Sequence, residues 1–384
     1  MTEFDIVITT IFEPTWLEGY LENIAAHGHV DSVTIRIVAD RKTPPSVFAA
    51  AAEASRSGFS IDCPDLDEQE DYLRRLGMPA DFVPWNTDNR RNIGYLRAYE
   101  SGARVLISID DDNYCRADTD FISSHSVVGG PCGGGEPARL VDRAPWFNIC
   151  SRLQADTPET IWARGFPYSE RRAADEPRIE ALGGDVAQLR IAANAGLWLD
   201  DPDVDAVTRL ALRPIVERAE NDDLILAPGT WTPVNTQNTA LHRGAIPAYY
   251  YVRMGFPVKG MLIDRFGDIW SGYFLQRCAQ HLGEVVRVGS PVADHRRTSH
   301  NLFKDLYQEL AGIVLTEELL PWLRELRLTA STYAQAYAEI AEALEQQAEA
   351  FHGFLWDEGG RDFLRGSARH MQTWLTAIRT LSGG

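Results

Sequence analysis

Apolar runs of strand character alternate with stretches of helical spacing along the first 110 residues. Phe4-Asp-Ile-Val-Ile-Thr-Thr10 reads as a strand ending in small polar residues, and Glu13 to Ala26 has helical periodicity. Val33 to Ala39 is a second strand, with Asp40-Arg41-Lys42 at its carboxyl end. Helical spacing returns near 46–57, 67–76 and 89–101. Arg104-Val-Leu-Ile-Ser-Ile is a further apolar strand, and it ends in Asp110-Asp111-Asp112. This β-α-β-α order predicts an α/β fold, a mostly parallel sheet flanked by helices on both faces. In such sheets ligands bind just outside the carboxyl ends of the strands. The three acids fall there.

Farther along, Asn194 to Leu199 is apolar, Ile269 to Gln280 looks helical, and Glu284 to Val288 looks like a strand. From about residue 315 the composition shifts. Ala, Glu, Leu and Gln dominate at helical spacing from Glu317 to about His352, and again from Asp362 to Leu381. This divides the chain into a body, 1–314, and a C-terminal helical extension, 315–384. Amphipathic helices of this kind pack on the body or on a partner subunit, so a homo-oligomer is an expectation. The glycine-rich Gly129 to Gly135 is read either as a surface excursion or as a lid that approaches a phosphate.

The composition is that of a globular protein, with 45% hydrophobic residues and ten tryptophans in 384. A formal net charge of −18 argues against a nucleic-acid partner, which needs clustered Lys and Arg. An anionic substrate must therefore be held by local cations or a metal, against the global field. Five cysteines with no CxxC pair predict free thiols in a reducing compartment. The N-terminus enters a strand at once, unlike a signal peptide, and no apolar run approaches a membrane span. A cytoplasmic location and no membrane partner are expected. No GxGxxG follows the first strand, which argues against NAD or FAD.

Several residues are candidates for chemistry. Asp110, Asp111 and Asp112 repel one another unless a cation neutralises them, and hard oxygen ligands suit Mg²⁺ or Mn²⁺ bridging a nucleotide's phosphates. The alternative is a solvated acidic turn. Asp40 meets a base or ribose, or caps a strand. Asp268 acts as a base toward a sugar hydroxyl, or starts a helix, while Trp270 offers an apolar platform for a pyranose face. His295 is a late metal ligand or a surface histidine. Arg164 and Arg171 bracket Gly165-Phe-Pro167 and suit a diphosphate clamp, or are solvated charge, as are Arg90 and Arg91.

Together these stretches resemble one family, the plant reversibly glycosylated polypeptides, which include UDP-arabinopyranose mutases. The resemblance runs in order from about residue 4 to about 325. It is carried by Asp5-Ile-Val-Ile, Ile93-Gly-Tyr95, Ile109-Asp-Asp-Asp112, Arg164-Gly-Phe-Pro-Tyr-Ser-Glu-Arg171 and Gly196-Leu-Trp-Leu199. It continues through Pro202-Asp-Val-Asp205-Ala206, Gly229-Thr with Pro233 and Asn238, Asp268-Ile-Trp270 and His295. The resemblance implies a GT-A type fold and a divalent-metal-dependent, flavin-independent interconversion of a nucleotide sugar between pyranose and furanose rings. It implies reversible self-glycosylation at the position of Arg164, with Arg171 matching a second family arginine. It also brings Trp198 and Asn238 into the substrate-binding set beside Asp40, Arg90, Arg91 and Trp270. The chain departs from the plant-like Asp-Gly-Asp-Pro after the second strand, reading Ala39-Asp-Arg-Lys-Thr43. That departure opens guanine as well as uracil for the base, and a GDP-L-galactose mutase among bacterial relatives as the resemblance's nearest reading. Two other classes stand beside the mutase: a metal-dependent glycosyltransferase, and a non-catalytic subunit of a mutase assembly.

Overall fold

The computed structural model describes residues 2–134, 138–142, 144–171, 177–297 and 301–383. Gly135, the end of the glycine-rich stretch, lies outside the described residues. The first half alternates as expected: β1 (Phe4–Thr10), α1 (Leu17–Ala26), β2 (Val33–Ala39), α2 (Pro45–Arg56), β3 (Ser60–Asp62), α3 (Leu66–Arg75), α4 (Arg91–Ser101) and β4 (Val105–Asp110). Next come β5 (Asn113–Tyr114), α5 (Phe121–His125), β6 (Ala138–Asp142), β7 (Leu153–Ala155), β8 (Arg178–Ala181) and β9 (Ile191–Asp200). Then follow α6 (Ala206–Leu212), β10 (Val216–Ala219), β11 (Asp223–Leu226), β12 (Asn238–His242), β13 (Phe256–Val258) and β14 (Met261–Ile263). The chain closes with α7 (Gly267–His281), β15 (Val285–His295), α8 (Leu302–Glu325), α9 (Tyr333–Gln347) and α10 (Glu358–Leu381).

The main sheet runs β3-β2-β1-β4-β12-β9-β15-β11-β6-β8. Its first four strands are parallel, β12 enters antiparallel between β4 and β9, and β15 pairs with β9 in parallel. β1, β2 and β4 are buried on both faces, which is why they read as nearly continuous apolar runs, while β3 at the edge is short and partly exposed. Ile6 and Ile8 of β1 face one core with Ile35, Ile37, Ile107 and Ile109, covered by Trp16, Tyr20 and Ile24 near α1. Val7 faces the other core, with α4 and the long C-terminal helices. Gly94 decides how closely α4 approaches the sheet. A Cβ there would lie 2.3 Å from Val7 Cγ1, so only glycine lets the helix lie flat on β1. Its N-terminal arginines are thereby drawn to the strand ends.

The expected boundary between 314 and 315 falls inside α8. Leu315 and Leu319 share one core with Trp270 and Phe274 of α7 and with Met371 and Trp374 of α10. The C-terminal helices continue the hydrophobic core of the body. The expected helix from Glu317 to His352 is two helices, because the Thr332 side chain accepts from Gln335 N and starts α9 anew. Among the described residues no helix is long and apolar enough to cross a membrane. All five cysteines are free.

Candidate active site

A cavity of about 330 Å³ opens at the carboxyl ends of β1, β2 and β4, the position expected for a ligand in an open α/β sheet. Thr9 and Thr10 end β1, Ile11 and Phe12 follow it, Asp40 and Lys42 follow β2, and Arg90 and Arg91 come from the start of α4. Asp110, Asp111 and Asp112 form one wall. Asp203, Arg164, Asp268, Arg265, His295 and Arg297 line the cavity as well.

The acidic wall is held from several directions. Arg91, buried beneath it, donates through Nη2 to Asp110 Oδ1 at 2.5 Å and through Nη1 to Ser108 Oγ at 3.0 Å and the Thr236 carbonyl at 2.9 Å. Burial, with repulsion from neighbouring carboxylates, pushes Asp110 up to about 6 in spite of Arg91. Burial likewise pushes Asp111 up to about 6, against a hydrogen bond from Thr10. For Asp112 burial acts upward too, but the hydrogen bond and charge of His295 hold it below the usual carboxylate range.

His295 stands at the end of β15. Its Nδ1 bonds the Asp201 carbonyl, which can only accept, so Nδ1 carries a proton. In the neutral ring Nε2 is then a lone pair, 3.2 Å from the carboxylate oxygen Oδ2 of Asp112. In that neutral state two acceptors face one another; a proton on Nε2, favoured because, against burial, Asp112 raises His295 above its usual range, or a cation satisfies them. Among the described residues no three such donors converge on one point. The pair nonetheless suits an ion that binds through few protein ligands and completes its shell with phosphate and water oxygens.

Arg164 is fully committed to the protein. Nε and Nη2 grip Asp203 at 2.8 and 3.0 Å, Nη1 and Nη2 grip Asp268 at 3.0 and 2.5 Å, and Nη1 also reaches the Arg265 carbonyl. A guanidinium has five N–H donors, and these bonds use all five. Arg265 presents that carbonyl from a left-handed conformation, φ 57°, while its own Nε binds Glu309 Oε1 at 3.0 Å. Burial works against the charge on Arg164, yet the two carboxylates raise it well above the ordinary guanidinium value. The expected diphosphate clamp is therefore a staple between Asp203 and Asp268. Other cations line the wall. Burial above all, with the neighbouring Arg209 and Arg265, pulls Arg297 below the usual guanidinium range, against the charges of Asp201 and Asp203.

Four of the expected contact residues lie elsewhere. Arg171 is outside the cavity, stacked 3.7 Å over the Tyr168 ring and paired with Asp205, whose carboxylate starts α6 by accepting from Thr208 N. Trp270 is no sugar platform. It is wholly buried on α7, edge-on to Phe274, and its Nε1 donates to Thr316 Oγ1 at 2.9 Å. Trp198 packs with Leu197, Val204 and Val288 in a third core. Asn238 lies between strands, where its amide serves carbonyls of β9 and β15. An apolar or amide side chain in a motif reads the same from either face of a strand, and here the faces turned inward. Asp40 and Arg90 do line the cavity. Asp40 accepts from the backbone N–H groups of Arg41 and Asn86 at 2.6 and 2.7 Å. Arg90 lies 3.4 Å over the Trp85 ring, and its burial brings it down to about 10.

A family model described as reversibly glycosylated polypeptide matches residues 1–381. The chain belongs to that family. UDP-arabinopyranose mutase 1 of Arabidopsis thaliana is 26% identical over 350 residues, covering 90% of this chain and 86% of the relative. Probable UDP-arabinopyranose mutase 2 of Solanum tuberosum is 30% identical over 362 residues, covering 90% and 84%. Among solved structures, glucosyl-3-phosphoglycerate synthase of Mycobacterium tuberculosis, in complex with Mg²⁺ and uridine diphosphate, aligns over 85% of this chain and 81% of its own. Its identity is 11% and its TM-score 0.40.

In this member of the reversibly glycosylated polypeptide family, several cavity residues carry no signal in the sequence strong enough to mark them as site candidates. Asp203 is the clearest, since a buried arginine demands counter-charges and Asp203 stands in the Pro202-Asp-Val-Asp205 motif. Asn235 holds Asp203 by a 2.7 Å bond from Nδ2, and Thr236 and Gln237 line the wall beside it. Nothing local marks Asn235 to Gln237 as more than a polar loop before a strand.

Proposed function

We propose that this protein is a divalent-cation-dependent, flavin-independent mutase that interconverts the pyranose and furanose forms of a nucleotide sugar. The observation that carries the reading is that one cavity is lined both by the Asp112–His295 pair and by the Arg164-held carboxylates Asp203 and Asp268. Family membership, with relatives named for UDP-arabinopyranose, supports the substrate class.

Asp112 and His295 would hold a Mn²⁺ or Mg²⁺ ion, with Asp110 and Asp111 adding negative charge. Such an ion supplies Lewis-acid stabilisation of a diphosphate leaving group. Lys42 and Arg297 bring further positive charge to the cavity. Ring contraction requires the C1–O bond to the diphosphate to break and O4 to add to C1 as its proton leaves. The bond from the ring oxygen to C1 then breaks, that oxygen takes up a proton, and the diphosphate returns to C1. Asp268 is the group we assign to the migrating proton, because Arg164 fixes both its oxygens at the cavity wall. Arg164 itself stays protonated and saturated, which disfavours it as the nucleophile. The base and sugar are read as UDP-arabinose type or GDP-L-galactose type.

The test is anion-exchange chromatography of reactions with Mn²⁺ and UDP-arabinopyranose, UDP-galactose, GDP-L-galactose or GDP-L-fucose, each repeated with EDTA. A new peak of unchanged mass, abolished by EDTA and by Asp112→Asn, is expected, and it identifies base and sugar. Free nucleotide without that peak would replace the mutase with a transferase or hydrolase.

A further inference from the structure

The parallel pairing of β15 with β9 is interrupted. Gly289 lies opposite Gly196, but the next pair is Val292 opposite Leu197, so Ser290 and Pro291 are extra residues on β15. Such an interruption leaves backbone groups without ladder partners, and buried carbonyls need donors. Asn194 Nδ2 and Arg287 Nη1 donate to the Ser290 carbonyl, both at 2.9 Å, and Asn238 serves two further carbonyls. Asn238 Nδ2 donates to the Leu197 carbonyl at 3.1 Å and to the Pro291 carbonyl at 2.9 Å. Since both carbonyls only accept, the amide nitrogen must face them. Asn238 Oδ1 then faces His125 Nε2 at 3.0 Å, and Asn194 Nδ2 lies 3.0 Å from Nδ1 of the same ring. The fit leaves no slack. A Cβ on Gly196 would sit 2.2 Å from Asn238 Nδ2 and 2.6 Å from the Pro291 carbonyl oxygen.

Asn238 is 1% exposed and does not line the cavity, so it touches no substrate. It does stand between the two arms that meet at the cation site. In β12 it lies opposite Ile109, the residue before Asp110, and the neighbouring Gln237 carbonyl accepts from Asp110 N at 3.2 Å. On its other side it grips β15 four residues before His295. We propose that Asn238 is a positioning residue, which sets the separation of Asp110–Asp112 from His295 by holding the β15 bulge, and so tunes cation affinity. This rests on the cation-binding reading above. Outer partners that orient metal ligands typically contribute roughly 10- to 100-fold in metal affinity.

The experiment measures Mn²⁺ binding to the full chain without nucleotide, by the loss of the free-ion electron paramagnetic resonance signal, in the parent and Asn238→Ala. Expected is binding at least tenfold weaker in the variant with an unchanged circular dichroism spectrum, and nucleotide-sugar turnover restored by raising Mn²⁺. Parent-like affinity in the folded variant, or activity that excess Mn²⁺ does not restore, overturns the positioning role alone. A parent that binds no Mn²⁺ overturns the cation reading and this assignment with it. Should Asn238→Ala not fold, Asn238→Ser keeps a small polar side chain whose single O–H donor cannot serve both carbonyls. Weaker Mn²⁺ binding there supports the role, and unchanged binding in the folded variant overturns it.

Discussion

Nη2 of Arg164 lies 2.5 Å from Oδ2 of Asp268, and Nη1 lies 3.0 Å from Oδ1, a two-point pairing of a buried guanidinium with a buried carboxylate. Asp203 closes a second such pairing on the same arginine. Removing one partner from a buried ionic cluster costs about 3–5 kcal/mol, because the remaining charges lose their compensation. Arg164→Met is therefore expected to lower stability by that order in denaturant melts, with part of the loss recovered by adding Asp203→Asn. In Arg164→Lys, three ammonium donors replace a five-donor fork. Turnover should fall by at least tenfold while calorimetry shows nucleoside diphosphate binding unchanged. Weakened diphosphate binding would restore the clamp.

Acid stability follows from the same cluster. Burial would raise Asp203, but Arg164, with hydrogen bonds from it and from Asn235, brings the carboxyl down to about 2. An unfolded aspartate titrates near about 3.9. Between those values the unfolded chain binds the proton and the native chain does not, so stability rises with pH across the window. The contribution is fully present above about pH 4, is lost as pH falls through about 2, and amounts to roughly 2–3 kcal/mol. Urea melts from pH 2.5 to 5 should show a shallower slope in Asp203→Asn than in the parent.

Trp270 separates a core role from a sugar-binding role. Trp270→Phe removes the bond to Thr316 and should cost about 1 kcal/mol. Trp270→Ala should cost about 3–5 kcal/mol through the cavity it leaves. KM for the nucleotide sugar should be unchanged in Trp270→Phe. A clear rise in KM without loss of stability would return the ring to the substrate.

Arg171 is expected to behave as a structural residue. Its guanidinium holds Asp205, and Asp205 caps α6. Arg171→Met should lower the melting temperature through the unpaired carboxylate, whose side chain is 1% exposed. Turnover per folded molecule, measured well below that melting temperature, should stay within about twofold of the parent, as for changes outside a reacting site. A large fall in kcat would place Arg171 back in the chemistry.

How much of the site was legible can be judged from single residues. Asp110 to Asp112 announced themselves because an apolar strand ending in three acids has few other uses at a sheet edge. Arg91 reads in the sequence as a charge, but its place beneath Asp110 depends on Gly94 letting α4 lie on β1. Asp203 and Asn235 are silent in the sequence, since Asp203 reaches Arg164, and Asn235 reaches Asp203, only across distant points of the chain.

The chain's own pattern was enough to determine the alternation of strands and helices, the edge where the site lies and the acids that mark it. Those properties follow from local periodicity and from where an apolar run stops. Only the tertiary structure decided which motif residues meet the cavity. Trp198, Trp270 and Asn238 turn into the packed interior, whereas Arg164 reaches the wall with every donor already bound. The facing of a side chain depends on sheet register, on helix rotation and on partners tens of residues away. Those long-range contacts are settled only when the two cores close on either side of the sheet.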